Sequence, residues 1–152
     1  MLARRRPPLP ALVLALALAT GLAAVPGTVR ADGATEAAFA RSTNRIRAAH
    51  GLRALRTDPV LTRLARAHAR DMAARQRLCH TDLSRSVRRW VWLGQNVGYG
   101  GSVETLQGAF MRSPPHRANL LYRGANRIGV GTWRDRHGTL WVAVDLERTP
   151  GR

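Results

Sequence analysis

The order of the periodic segments constrains this fold most, because helical patterns come first along the chain and β-rich runs come last. The strongest helix start is Asp58-Pro59, since an acid at the N-cap and a proline at the first helical position both favour initiation. Apolar residues then recur at helical spacing to about Arg77. The predicted buried face of this helix comprises Leu61, Leu64, Ala65, His68 and Met72.

Two further helical patterns lie on either side of this one. The first runs from Glu36 to His50, and the second begins after Ser102, a predicted N-cap, and ends at Pro114-Pro115. A single helical turn is predicted from His116 to Leu121, with Ser113 as its cap. Three basic residues of the first helix are predicted to lie mostly off its buried face: Arg41, Arg45 and Arg47.

The β-rich segments complete the pattern. Glycines over residues 94–101 favour a short strand that enters a tight turn. Residues 127–133 and 139–146 are rich in β-branched and aromatic side chains, and the turn residues at 135–138 predict a hairpin between them. Residues 83–93 leave two alternatives open, another helical turn or a buried loop. Helices followed by strands predict a single α+β layered domain.

The amino terminus has the features of a secretory signal. Three arginines at positions 4–6 precede a fourteen-residue apolar run from Ala11 to Ala24, which is shorter than a membrane span requires. We therefore expect a signal peptide over 1–31, a mature domain over 32–152 that begins near Asp32, and no transmembrane span after cleavage. Cleavage after Ala24 and retention as an uncleaved anchor are the alternatives. The expected location is secreted or extracellular, with association to the cell envelope left open.

The charge and the cysteine content exclude several classes of protein. All 25 basic residues are arginine, against 9 acids, and removal of residues 1–31 takes away four arginines and no acid. The arginines are spread over every element without a nucleic-acid-binding motif, so anionic envelope polymers or lipid headgroups are better partners than nucleic acid. One cysteine excludes a disulfide-rich miniprotein and a cysteine-based zinc module. Cys79 is interpreted as a small buried hydrophobe, with reaction or cross-linking as the alternative.

Six segments in sequence order resemble one protein family, the bacterial branch of the CAP superfamily of cysteine-rich secretory, antigen five and pathogenesis-related proteins. The resemblance covers nearly the whole predicted mature chain, and Ser-Pro-Pro-His-Arg-Ala-Asn-Leu-Leu is its most specific part. The segments are residues 39–52, 65–73, 79–81, 94–97, 113–121 and 128–131. The resemblance implies a three-layer α-β-α sandwich, a secreted location and a cleft in which two histidines and two glutamates hold a divalent metal such as zinc.

The resemblance also assigns residues to this cleft. His80 and His116 match the two histidines, Gln95 stands where the family has its first glutamate, and Ser113 stands where animal and plant members have the second. A Gln amide and a Ser hydroxyl carry no charge and are poor zinc ligands, so zinc binding by His80 and His116 is expected to be weak. Asp82 or Glu104 would have to supply the missing charge.

The function expected from these residues is binding. We expect a non-catalytic or weakly catalytic module, monomeric, whose cleft of His80, Gln95, Ser113 and His116 recognises a small or lipid-like ligand, as the reported lipid binding of the family implies. The alternative is a metal-assisted hydrolase that uses an ion held by the two histidines. His68 is interpreted as a core histidine with a satisfied hydrogen-bond partner.

Overall fold

A computed structural model describes residues 32–88 and 90–150 of the chain. The predicted signal peptide, residues 1–31, lies outside the described residues. Among the residues that are described, no helix is both long enough and apolar enough to span a bilayer.

Helix α2 (Pro59–Arg75) begins where the sequence predicts a cap, whereas α1 (Gly33–Ala49) begins before the predicted start at Glu36. The Asp58 carboxylate accepts hydrogen bonds from the backbone N–H groups of Val60 and Leu61, and Pro59 occupies the first helical position. Asp32 caps α1 in the same way through the N–H of Ala34. Helix α2 ends at Gln76, which adopts a left-handed conformation with φ of 49° and turns the chain back toward the helix.

The remaining helices are α3 (Val103–Arg112) and α4 (Pro114–Leu120), together with a short 3₁₀ turn over Leu83–Arg85. Ser102 caps α3 through the N–H of Thr105, as predicted. Ser113 occupies the N-cap position of α4, but its side chain makes no capping hydrogen bond, so the predicted role of its hydroxyl is wrong. The 3₁₀ turn settles part of the open segment 83–93.

Four strands form one mixed sheet in the order β1 (Arg56–Thr57), β3 (Arg127–Arg134), β4 (Leu140–Arg148) and β2 (Trp92–Gly100). Strand β4 pairs antiparallel with both β3 and β2, and the predicted hairpin joins β3 to β4. Strand β1 pairs parallel with β3 and was not predicted, because two residues are too short to show a period. Strand β2 is nine residues long, longer than the glycine-rich segment indicated.

The two faces of the sheet are covered by different helices. Helix α2 packs on one face, where Gly129 and Gly131 leave room for it, since a Cβ at either position would overlap the backbone of the helix. On the other face, a cluster of buried apolar side chains joins α1, α3 and α4 to the sheet. It contains Phe39, Leu106, Phe110, Leu120, Ile128, Val130, Val142, Val144 and Leu146. The predicted α-β-α sandwich in a single domain is therefore confirmed.

Candidate functional site

Gln95 on β2 is the centre of a polar network. Its side chain is buried, and its Oε1 accepts hydrogen bonds from the backbone N–H of Thr81 and from His80 Nδ1, each over 3.0 Å. The Thr81 N–H can only donate, which fixes the orientation of the amide. His80 therefore donates from Nδ1, and in the neutral form of the ring Nε2 keeps its lone pair. The loop that carries His80 is thus anchored to the strand.

Asp145 on β4 extends this network into the core. Gln95 Nε2 donates to Asp145 Oδ1 over 2.9 Å, the two residues being directly opposite in the β2–β4 register. Asp145 is fully buried, and its Oδ2 has no hydrogen-bond partner among the described residues. Burial raises the pKa of Asp145 to about 7, although the bond from Gln95 acts in the opposite direction. A continuous hydrogen-bonded column therefore runs from exposed His80 to a carboxyl group in the core.

His116 on α4 provides the second imidazole. Its Nδ1 lies 2.9 Å from Ser113 Oγ, and its ring packs beside Phe110 with a centroid separation of 5.0 Å. Burial lowers the pKa of His116, and the repulsion that would arise if His80 and His116 were both protonated lowers it further. The Ser113 hydroxyl therefore positions the histidine instead of capping the helix, and the ring is neutral at pH 7.

Two asparagines attach α4 to β2 at the site. Asn96 Nδ2 donates to the backbone oxygen of His116 over 2.9 Å. Asn119 Nδ2 donates to Asn96 Oδ1 over 2.9 Å and to the backbone oxygen of Gln95 over 3.2 Å. Asn96 and Asn119 thus join the strand to the helix through their side-chain amides. These contacts hold His116 next to the Gln95 network.

A groove of about 320 Å³ opens beside this network. Trp90 and Val91 on its wall are 42% and 50% exposed, which is unusual for large apolar side chains. Thr81 and Gln95 line the groove as well as belonging to the histidine network. The remaining lining residues are Asp82, Leu83, Ser84, Trp92, Leu93 and Gly94. The site thus combines a polar end with an apolar wall.

The structure brings together the four residues that the sequence nominated, as two pairs: His80 with Gln95, and Ser113 with His116. Asp145, Asn96 and Asn119 were missed. The signal for Asp145 is an acid between Val144 and Leu146 in a β-rich run, since a charge on a buried strand demands a partner. The asparagines adjoin the nominated residues but form contacts that no spacing rule reveals.

The donor atoms at this site fit a zinc ion poorly. Oε1 of Gln95 already accepts two hydrogen bonds, and Oγ of Ser113 is bonded to His116. The Asp82 carboxylate accepts from Ser84 and pairs with exposed Arg85. Among the described residues, no cluster of three potential ligands includes His80 or His116. Two neutral imidazoles remain, without the carboxylates that would balance a divalent charge.

The comparisons with known proteins agree with this architecture. A family model described as CAP, the cysteine-rich secretory protein family, matches residues 40–144. An outer surface protein from Borrelia burgdorferi has a similar fold, with a TM-score of 0.69 and 15% identity over 75% of this chain and 92% of that one. No curated protein sequence matches the chain significantly.

Two other bacterial structures are similar in fold. An extracellular SCP-domain protein from Bacillus anthracis aligns with a TM-score of 0.68 and 21% identity, over 76% of this chain and 41% of that chain. A cysteine-rich secretory protein from Staphylococcus aureus aligns with a TM-score of 0.62 and 22% identity, over 76% and 39% respectively. The chain therefore spans about two fifths of the length of these two relatives. Because the family model covers more than two thirds of the sequence, the chain belongs to the CAP family of cysteine-rich secretory proteins.

Proposed function

We propose that this protein is a ligand-binding module that accepts a small amphipathic, lipid-like molecule in the cleft of His80, Gln95, Ser113 and His116. The observation that carries the proposal is the apolar groove beside the histidine network, which shares Thr81 and Gln95 with it. A ligand with an apolar body and a polar head matches a site that has one apolar wall and one hydrogen-bonding end.

The polar end of the site suits an uncharged or weakly acidic head group. His80 Nε2 offers a lone pair to a hydroxyl or a protonated carboxyl, because Nδ1 is used by Gln95. His116 is neutral at pH 7, since burial lowers its pKa. The apolar body of the ligand would cover Trp90 and Val91. Both side chains are exposed, so their removal from water contributes favourable free energy to binding. An anionic envelope polymer is the other partner that the basic charge favours.

The proposed location is outside the cell. The apolar run from Ala11 to Ala24 has signal-peptide length, and the similar proteins from Bacillus anthracis and Staphylococcus aureus are described as extracellular and secretory. Export with cleavage after Ala31 would leave Asp32, the cap of α1, as the first residue. Amino-terminal sequencing of the exported protein tests this, and a retained apolar segment would contradict it.

Fluorescence titration with cis-parinaric acid, a fluorescent fatty acid, and with dehydroergosterol, a fluorescent sterol, tests the binding function. We expect saturable binding of at least one probe. The double variant His80→Ala/His116→Ala should raise the Kd at least about tenfold, equivalent to about 1.4 kcal/mol. Trp90→Ala should weaken binding through loss of the apolar wall.

The matched control is His50→Ala/His137→Ala, which removes two histidines outside the cleft. Unchanged binding in a folded His80→Ala/His116→Ala variant would overturn the proposal, and so would equal losses in the control. The alternative, a metal-assisted hydrolase, predicts ester or peptide hydrolysis that a chelator abolishes. The poor fit of the donor atoms to zinc makes it the second candidate.

A further inference from the structure

A second cluster of reactive side chains lies where the chain leaves α2. Gln76 is left-handed, and the N–H of Arg77 donates to the backbone oxygen of Met72, so the chain reverses at the end of the helix. The residues that follow run back along the last turns of α2. This reversal brings Cys79 next to His68, eleven positions earlier in the sequence.

His68 is buried, and the contact it makes shows which ring nitrogen donates. Nε2 lies 2.7 Å from the backbone oxygen of Cys79, and this oxygen can only accept a hydrogen bond. Nε2 therefore donates, and in the neutral form of the ring Nδ1 keeps a lone pair that can bind a metal. A histidine whose second nitrogen donates to a backbone carbonyl is the usual arrangement of a metal ligand.

Asp71 and Cys79 complete the cluster. Asp71 lies one turn after His68 on the same helix, and Arg75 Nε donates to its Oδ1 over 2.8 Å, which leaves Oδ2 for another partner. The Cys79 thiol is free and only partly buried. One ligand atom from each of His68, Asp71 and Cys79 lies within 4.8 Å of the others.

We propose that His68, Asp71 and Cys79 bind a divalent cation of the zinc class. A thiolate, an imidazole and a carboxylate are the ligands that zinc prefers in proteins, and the two anionic groups balance its charge. Ligand atoms around one tetrahedral zinc are separated by about 3.2–3.8 Å, so small side-chain rotations close the observed cluster. The partly exposed Asp71 leaves a path to solvent and a fourth position for water.

This site is chemically distinct from the two-histidine cleft. The cleft offers two neutral imidazoles, whereas the cluster of His68, Asp71 and Cys79 offers one imidazole and two anionic ligands. A bound ion would link the loop after α2 to the helix itself. Because His80 follows Cys79 directly, the ion would also restrain the loop that carries the first histidine of the cleft.

Cobalt and zinc titrations of the reduced full-length protein test this site. We expect one equivalent of Co²⁺ to produce a thiolate-to-metal charge-transfer band in the near ultraviolet. Cys79→Ser should abolish the band, and Asp71→Asn should weaken zinc binding, measured by calorimetry, at least about tenfold. His68 is left intact because it is buried and holds the Cys79 backbone, so that its replacement would disturb the fold.

Glu104→Gln and His50→Gln are the matched controls, each of which removes an acid or a histidine distant from the cluster. Zinc binding that is equal in the original protein, Cys79→Ser and Asp71→Asn would overturn the proposal. Absence of the cobalt band from the reduced original protein would do the same. Zinc binding that survives Cys79→Ser but is lost in His116→Ala would place the ion in the cleft, and would also overturn it.

Discussion

At the scale of single residues, the identity of position 95 follows from its two neighbours. The amide of Gln95 accepts from His80 and donates to Asp145, which no carboxylate could do. A glutamate here would set two carboxylates against each other in a buried space, and one of them would have to be protonated. Gln95 and Asp145 are therefore a matched pair, which accounts physically for the departure from the family glutamate.

Asp145→Asn should remove a pH dependence of folding stability. The pKa of this carboxyl is about 7 in the folded protein against an ordinary value of 3.8, so between these values the unfolded chain loses a proton that the folded protein keeps. Stability contributed by this group therefore falls as pH rises from about 4 to 7 and then levels off. Asparagine does not titrate, so the Asn variant lacks this loss of stability. Between pH 4 and 7 its free energy of unfolding should rise by about 2–4 kcal/mol relative to that of the original protein.

Urea unfolding of both proteins at several values between pH 4 and 8 measures this difference. Other titrating groups, such as Glu147 whose pKa burial also raises, are common to both chains and cancel in the comparison. A difference in the free energy of unfolding that is constant with pH would show that Asp145 does not titrate in this range.

The candidate site was predictable from sequence only in part. The family resemblance nominated His80, Gln95, Ser113 and His116 from short local motifs, and hydrogen bonds join them in two pairs. Asp145 is 50 positions from Gln95, so its role depends on a strand register that only the fold supplies. Arg47 was expected mostly outside the buried face, yet it is fully buried and donates to the backbone oxygens of Arg53, Leu120 and Tyr122.

At the scale of elements, the approach of α2 to the sheet depends on two glycines. Gly129 and Gly131 alternate with Val130, so both present the same face of β3 to the helix. Val130 faces the opposite layer and belongs to its core cluster. Residues 129–131 therefore contact both helical layers, the glycines against α2 and Val130 against the opposite one. The glycines are required by the close approach of α2 and not by a turn.

Gly131→Ala should destabilise the protein by about 3 kcal/mol or more, because the added methyl group would overlap the backbone of Ala65 and Arg66. Gly101→Ala is the matched control, since a Cβ at that position meets no atom within 4 Å. Thermal or urea unfolding measures both effects. Equal stabilities of the two variants would contradict the close packing of α2 on β3.

The predicted elements succeeded or failed for identifiable reasons. The caps of α2 and α3 and the hairpin between β3 and β4 have strong local signals, and the predicted segments match the observed ones within a few residues. Strand β1 has no such signal, since its two residues pair with β3 only after the fold brings them together. Ser113 is a residue type that commonly caps helices, but its hydroxyl is hydrogen-bonded to the ring of His116 instead of to the helix backbone.

At the scale of the whole molecule, the layered fold places the site around the middle of strand β2. Strand β2 supplies the consecutive residues Gln95 and Asn96, α4 adds His116, and the loop after α2 adds His80. Neither histidine belongs to the sheet, yet both are fixed by side chains that do. The family architecture and the order of the layers were predictable from sequence, whereas the apolar groove depends on segment 83–93, which the sequence left open.

The central claim is that the two histidines and the adjacent groove bind one ligand together. The most direct measurement is an NMR titration with a saturated fatty acid that follows the ring signals of the histidines and the indole signals of the tryptophans. The account predicts that His80, His116 and Trp90 shift together with one Kd, while His50 and His137 do not move. Shifts confined to other residues, or no shift at a saturating fatty acid concentration, would contradict it.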